Sequence, residues 1–152
     1  MSVNEGTPIL VIHGPNMNLV GKRSGEEFGT LTLDKIDRRL RRKADSLGAT
    51  LKIFQSNEEG AIIKRLQRQR SWTAGILLNP GALCFSSYTL LDTLQLINLP
   101  AVEVHLTGTL AGREVKESLF REYCLESVHG PPDEAYLLGL EKLVIYLNNS
   151  QN

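Results

Sequence analysis

The chain has 152 residues, 41% of them hydrophobic and 22% charged, which suits one ordinary globular domain over residues 1–152 with a sizeable core. Its 17 basic and 17 acidic side chains cancel, so no global field recruits nucleic acid or an anionic membrane. No apolar run reaches membrane-spanning length, Met1–Thr7 lacks the pattern of a signal peptide, and Cys84 and Cys124 have neither metal nor redox spacing; the expectation is a cytoplasmic protein with two reduced thiols.

The first element, Pro8–His13, is a continuous apolar run of the kind that forms a buried parallel strand. It leads into Gly14-Pro15, a turn carrying Asn16 and Asn18. The irregular stretch Gly14–Thr30 exceeds a routine strand-to-helix turn, a length typical of functional loops. Ile36, Leu40, Ala44 and Leu47 then form one helical stripe that Gly48 closes. The basic run Arg38-Arg39-Leu40-Arg41-Arg42-Lys43 makes the solvated outer face of that helix. Thr50–Phe54 is a second strand, and Ser56–Glu59 reads as a capping box opening a helix with Ile62, Ile63 and Leu66 inside.

Ala74–Asn79 follows as a third strand. Ser86 or Ser87 caps a helix carrying Leu90, Leu91, Leu94 and Ile97. Ala101–His105 is the fourth strand, and Gly108–Lys116 is a candidate short helix. Glu122–Val128 is a weaker fifth strand, and Asp133 caps a final helix with Leu137, Leu140, Val144 and Leu147. Alternating strands and helices imply a parallel sheet covered on both faces, with right-handed crossovers. The expected fold is α/β: a flavodoxin-like, doubly wound, five-stranded parallel sheet in three layers.

In such sheets ligands bind beyond the carboxyl ends of the strands, and three of those ends are polar. The first supplies Asn16, the second Asn79-Pro80-Gly81-Ala82, and the third Glu103-Val104-His105-Leu106-Thr107. Each asparagine is either a turn residue tying down its own backbone or a group facing a ligand. Glu103 and His105 share one strand face, where a carboxylate can orient an imidazole for proton donation or simply satisfy a strand end. The backbone N–H groups of Leu106 and Thr107 are candidates for holding a carboxylate or phosphate. His13 and His129 have no ligand spacing with His105, and neither G-x-G-x-x-G nor a Walker loop is present. No metal or cofactor is therefore expected.

Together these motifs resemble the type II 3-dehydroquinate dehydratase family. The matching segments are Ile9–Leu19, Gln55-Ser56-Asn57, Asn79–Ala82, Val102–His105 and Tyr136-Leu137-Leu138, in order and over nearly the whole chain. The resemblance implies dehydration of 3-dehydroquinate through an enolate, with a lid tyrosine as base, a lid arginine keeping it ionised, and a strand-end histidine as acid. On this chain the acid is His105, the lid arginine Arg23, the turn asparagine Asn16 and the substrate asparagine Asn79. The carboxylate site is Leu106 and Thr107, supported by Glu103 and Pro80. Asp92 corresponds to an aspartate lent across a subunit interface, and the family's assembly implies a homododecamer built from trimers, with a small cyclic carboxylate as partner.

The chain departs from the pattern at the lid, where the catalytic tyrosine position is Phe28. A phenyl ring has no proton to lose. Phe85 stands where the family has a substrate-touching histidine. The family's two arginines beyond the acid correspond to Gly112 and Lys116, with Arg113 adjacent to the first. His13 is usually asparagine. Glu26 and Glu27 are either replacement bases or solvated loop charges. The readings left open are a dehydroquinase with impaired or altered activity, a lyase for a related substrate, a non-catalytic paralogue binding a cyclic carboxylate, and a structural assembly unit.

Overall fold

A computed structural model describes residues 6–21 and 31–150. Its main sheet holds β1 (Thr7–His13), β2 (Ala49–Gln55), β3 (Gly75–Asn79), β4 (Ala101–His105) and, counting a two-residue hairpin of β5 (Thr109–Leu110) and β6 (Arg113–Glu114), β7 (Glu126–His129). The order is β2-β1-β3-β4-β7 with every pair parallel, which is the doubly wound arrangement expected. The winding reverses between β1 and β3.

The helices are α1 (Leu33–Leu47), α2 (Glu59–Gln69), α3 (Tyr88–Ile97) and α4 (Pro132–Ser150). Alternate strand residues face opposite sides, and so the sheet builds two cores. Ile9, Val11, Leu77, Val102 and Val104 pack under α1 and α4. Leu10, Ile12, Ile76 and Leu78 pack under α2 and α3. The stripe Ile36, Leu40 and Ala44 is buried as its spacing requires, and Gly48 ends α1 at φ +71°. The basic residues Arg38, Arg39, Arg41 and Arg42 are exposed. Arg39 and Lys43 reach Asp133 and Glu141 on α4, at 3.6 and 3.5 Å.

Four local expectations are corrected. Ser56 accepts from the Glu58 N–H at 3.0 Å, two residues on, and α2 starts at Glu59 without a side-chain cap; the serine makes a local turn two residues ahead of the N-cap position, Glu58. Asp133 lies inside the first turn of α4, which begins at Pro132, a residue suited to a position whose N–H has no helical partner. Most of the region 108–116 is a hairpin over 109–114, because Ala111 and Gly112 both take positive φ, 51° and 76°, as a tight primed turn demands; the short helix is confined to the 3₁₀ turn Val115–Glu117. The fifth strand starts at Glu126, not at Glu122. Buried Phe120 and Cys124 anchor a turn, in which the Cys124 N–H bonds Phe120 O, and pairing begins only where the Leu125 N–H meets Ala101 O. Of the two serines offered as caps for α3, Ser87 takes the role, accepting from the Leu90 N–H.

Candidate functional site

The carboxyl ends of β1, β3 and β4 meet beside the winding reversal, around a cavity of about 260 Å³. The turn after β1 contributes Asn16 and Met17, and the turn after β3 contributes Asn79 and Gly81. His105, Leu106 and Thr107 close the β4 side, and Leu110 and Ala111 of the hairpin form a further wall. Thus five predicted site residues (Asn16, Asn79, His105, Leu106 and Thr107) share one cavity. Asn16 takes φ +71° and opens the single 3₁₀ turn Met17–Leu19, a conformation asparagine tolerates better than most residues. The Gln55-Ser56-Asn57 segment braces it: Asn57 Oδ1 accepts from the Asn16 N–H at 2.9 Å, and Gln55 Nε2 donates to Gly14 O at 3.3 Å.

Glycine at position 14 is required by closeness. Its N–H donates to Asn79 O at 2.7 Å. A Cβ there would lie 2.8 Å from that oxygen and from two backbone atoms of Pro80. Gly14→Ala must push the two turns apart, and is expected to lower stability by about 1–3 kcal/mol in urea unfolding. A variant as stable as the parent would show that the turns are not held against each other.

The charged centre is the pair Glu103 and His105. Glu103 is fully buried and takes three donors: His105 Nε2 at 2.7 Å and the Ser118 hydroxyl on Oε2, and the Ser127 hydroxyl at 2.9 Å on Oε1. An ionised carboxylate is acceptor-only, so this set holds the His105 ring with its proton on Nε2. Nδ1 makes no hydrogen bond to a described residue and is the nitrogen left for a ligand in the cavity that His105 lines. An imidazole oriented in this way accepts a proton at Nδ1 when neutral and donates one there only as the doubly protonated imidazolium.

Cys84 Sγ lies close to the same pair, and one donor atom each from Cys84, Glu103 and His105 fall within 4.8 Å of one another. Both carboxylate oxygens already serve the serines and the imidazole, and burial, with the Glu103 charge second, pushes the Cys84 thiol up to about 12. The set is a hydrogen-bonded network around a protonated thiol. Burial likewise pushes the Cys124 thiol well above its ordinary range. At pH 8 a thiol titrating near 12 is ionised to only about one part in 10⁴. Neither cysteine should react with Ellman's reagent in the native protein at pH 8, and both should react in denaturant. Rapid native labelling would contradict this placement.

The other predicted site residues that the structure describes lie outside the cavity wall. Pro80 leads into the 3₁₀ turn Gly81–Phe85. Phe85 is half-buried, and the Arg113 guanidinium sits 5.1 Å over its ring while pairing with Glu117 at 3.6 Å. Lys116 pairs with Glu114 at 3.1 Å. Asp92 is exposed on α3, among Tyr88 and Leu96, which are 69% and 78% exposed. Arg23 and Phe28, with Glu26 and Glu27, lie outside the described residues. Sequence reasoning missed Ser118 and Ser127 as partners of Glu103. Ser127 pairs in register with Glu103 across β4 and β7, which a correct β7 boundary could have revealed. Ser118 arrives from a loop with no periodic signal.

A doubly wound sheet with an oriented acid–base pair and two asparagine turns around a cavity at its winding reversal defines a small-molecule site of the α/β class. The family model described as Dehydroquinase class II matches residues 7–144, and the chain belongs to that family. It is 38% identical over 142 residues to a 3-dehydroquinate dehydratase of Trichodesmium erythraeum, covering 93% of this chain and 95% of that one. It is 44% identical over 106 residues to a catabolic 3-dehydroquinase of Aspergillus clavatus, covering 70% and 71%. The crystal structure of a type II dehydroquinase from Butyrivibrio crossotus matches with a TM-score of 0.83 at 29% identity, covering 91% of this chain and 97% of that one. Among the described residues no helix is long and apolar enough to cross a membrane.

Proposed function

We propose that the chain dehydrates 3-dehydroquinate to 3-dehydroshikimate through an enolate-type elimination: Glu26 or Glu27, in place of the missing tyrosine, takes the proton from the carbon beside the ketone, and His105, as the imidazolium, protonates the departing hydroxyl, which leaves as water. The observation that carries this reading is the Glu103–His105 pair at the cavity end of β4, in a member of the dehydroquinase family. The backbone after His105 is suited to hold the substrate carboxylate at Leu106 and Thr107, while Asn16 and Asn79 face the rest of the ring. Arg23 is assigned to the anionic charge of the substrate. Lys116 or Arg113 is assigned as a further cationic contact for the substrate, which requires the side chain to leave Glu114 or Glu117.

A second reading is favoured by Phe28, which cannot abstract a proton: a paralogue that binds a cyclic carboxylate without turning it over, or acts on a related one. The test is the enone absorbance that appears on dehydration, followed after adding 3-dehydroquinate at high protein concentration, beside the shift in melting temperature with quinate. Turnover supports the first reading. A thermal shift without turnover supports the second, since a ligand selective for the native state stabilises it. Neither response removes both. Two cores built on one sheet support reading residues 1–152 as a single domain. The exposed Tyr88, Asp92 and Leu96 on α3 support self-association, with the family's dodecamer as the expected state in light scattering.

A further inference from the structure

Behind the cavity runs a buried chain of side chains that the proposed reaction does not employ. Asn79 Nδ2 lies 2.9 Å from the Tyr136 hydroxyl, that hydroxyl 2.7 Å from His13 Nδ1, and His13 Nε2 2.7 Å from Asp37 Oδ1. His13, Asn79 and Tyr136 are buried, and the Asp37 side chain is 26% exposed. The chain therefore connects the cavity wall, through the end of β1 and the first turns of α4, to the surface of α1.

Its direction is set at the cavity end. The Gly81 backbone N–H donates to the Asn79 side chain at 3.1 Å. A backbone N–H can only donate, so the atom it meets is the amide oxygen, and the amide nitrogen faces Tyr136. The nitrogen donates to the Tyr136 oxygen. Burial leaves the hydroxyl proton one outlet among the described residues, His13 Nδ1. With Nδ1 accepting, the ring carries its proton on Nε2 and donates it to the Asp37 carboxylate. The second amide N–H of Asn79 points at Met17 Sδ, 3.1 Å away. Both N–H groups of Asn79 are thus engaged, and what remains for a ligand is the second lone pair of Oδ1.

We infer that His13, acting through Tyr136, is a positioning residue that fixes Asn79 as a hydrogen-bond acceptor. Nothing in the dehydroquinase pattern requires a histidine at this position, since His13 stands where the family usually has asparagine.

The donation order is read by nitrogen NMR of the His13 imidazole. The native protein should show a neutral ring protonated at Nε2. Asn79→Asp replaces a donor by an acceptor, so Tyr136 turns its proton to the new carboxylate and His13 gains one at Nδ1. In a Tyr136→Phe background the same substitution should leave the His13 signals unmoved. A native ring protonated at Nδ1, or a His13 signal indifferent to Asn79→Asp with Tyr136 present, overturns the relay; if the variant does not fold, the native spectrum alone decides.

Discussion

Replacing His105 by asparagine is expected to lower kcat for dehydration of 3-dehydroquinate by about 10²–10⁴-fold, the range associated with loss of a positioned proton donor, with a much smaller change in KM. The reason is geometric. The ring is the one titratable side chain among the described residues that lines the cavity, and its Nε2 is committed to Glu103 at 2.7 Å. An asparagine keeps a polar group against the carboxylate but has no second nitrogen to carry a proton. Glu103→Gln approaches the same pair from behind. The amide oxygen can still accept from the imidazole, but the carboxylate charge is gone, and the amide N–H₂ must displace a serine donor on one side. A smaller loss of kcat is expected, together with a loss of stability of about 1–3 kcal/mol if one buried group is left unpaired. The measurement is steady-state turnover by enone absorbance, in the parent or in a lid variant with higher turnover, beside urea unfolding. Unchanged kcat in His105→Asn would remove His105 as the acid.

Much of this site was readable before any coordinates. Strand ends are where a parallel sheet puts ligands, and the apolar runs ending at His13, Asn79 and His105 each terminate at the observed position. The stripe of α1 and the serine cap of α3 follow from spacing alone. The failures share a cause: contacts from distant segments overrode a local pattern. Tyr123, Leu125 and Ser127 alternate as a strand should, yet Phe120 and Cys124 are drawn into the α2–α3 core and bend the chain before Glu126. Ser56 has the residue type of a helix cap, but its hydroxyl is used by the nearest N–H. The support for Glu103 comes from Ser118 and Ser127, 15 and 24 residues away, and no period connects such positions. His13 shows both sides of this. It was legible as a departure from a motif, but its partners Asp37 and Tyr136 lie 24 and 123 residues away. Only the fold reveals that the departure sits in a satisfied buried chain.

Restoring a tyrosine at the lid should have an effect as large as removing the acid, in the opposite direction. Phe28→Tyr supplies the hydroxyl that the dehydroquinase pattern uses as base, and a positioned base is worth about 10²–10⁴ in rate. The remaining requirements stand: Arg23 is present in the same lid sequence, and His105, the proposed acid, is held on Glu103. Phe85→His is a natural companion by motif, but it touches a second interaction. The Arg113 guanidinium rests 5.1 Å over the Phe85 ring, a contact worth about 0.5–1 kcal/mol at an exposed site, and a histidine there would give up much of it. The single substitution is therefore the cleaner experiment and the double one its extension. Phe28→Tyr alone should raise kcat by the stated factor with little change in melting temperature, and adding Phe85→His should act mainly on KM. If the parent already turns over as fast as Phe28→Tyr, position 28 is not where the base belongs in this chain, and Glu26 and Glu27 become the residues to replace next. If Phe28→Tyr and the double variant are both inactive but bind quinate, the cavity is a binding site whose chemistry was lost at more than one residue.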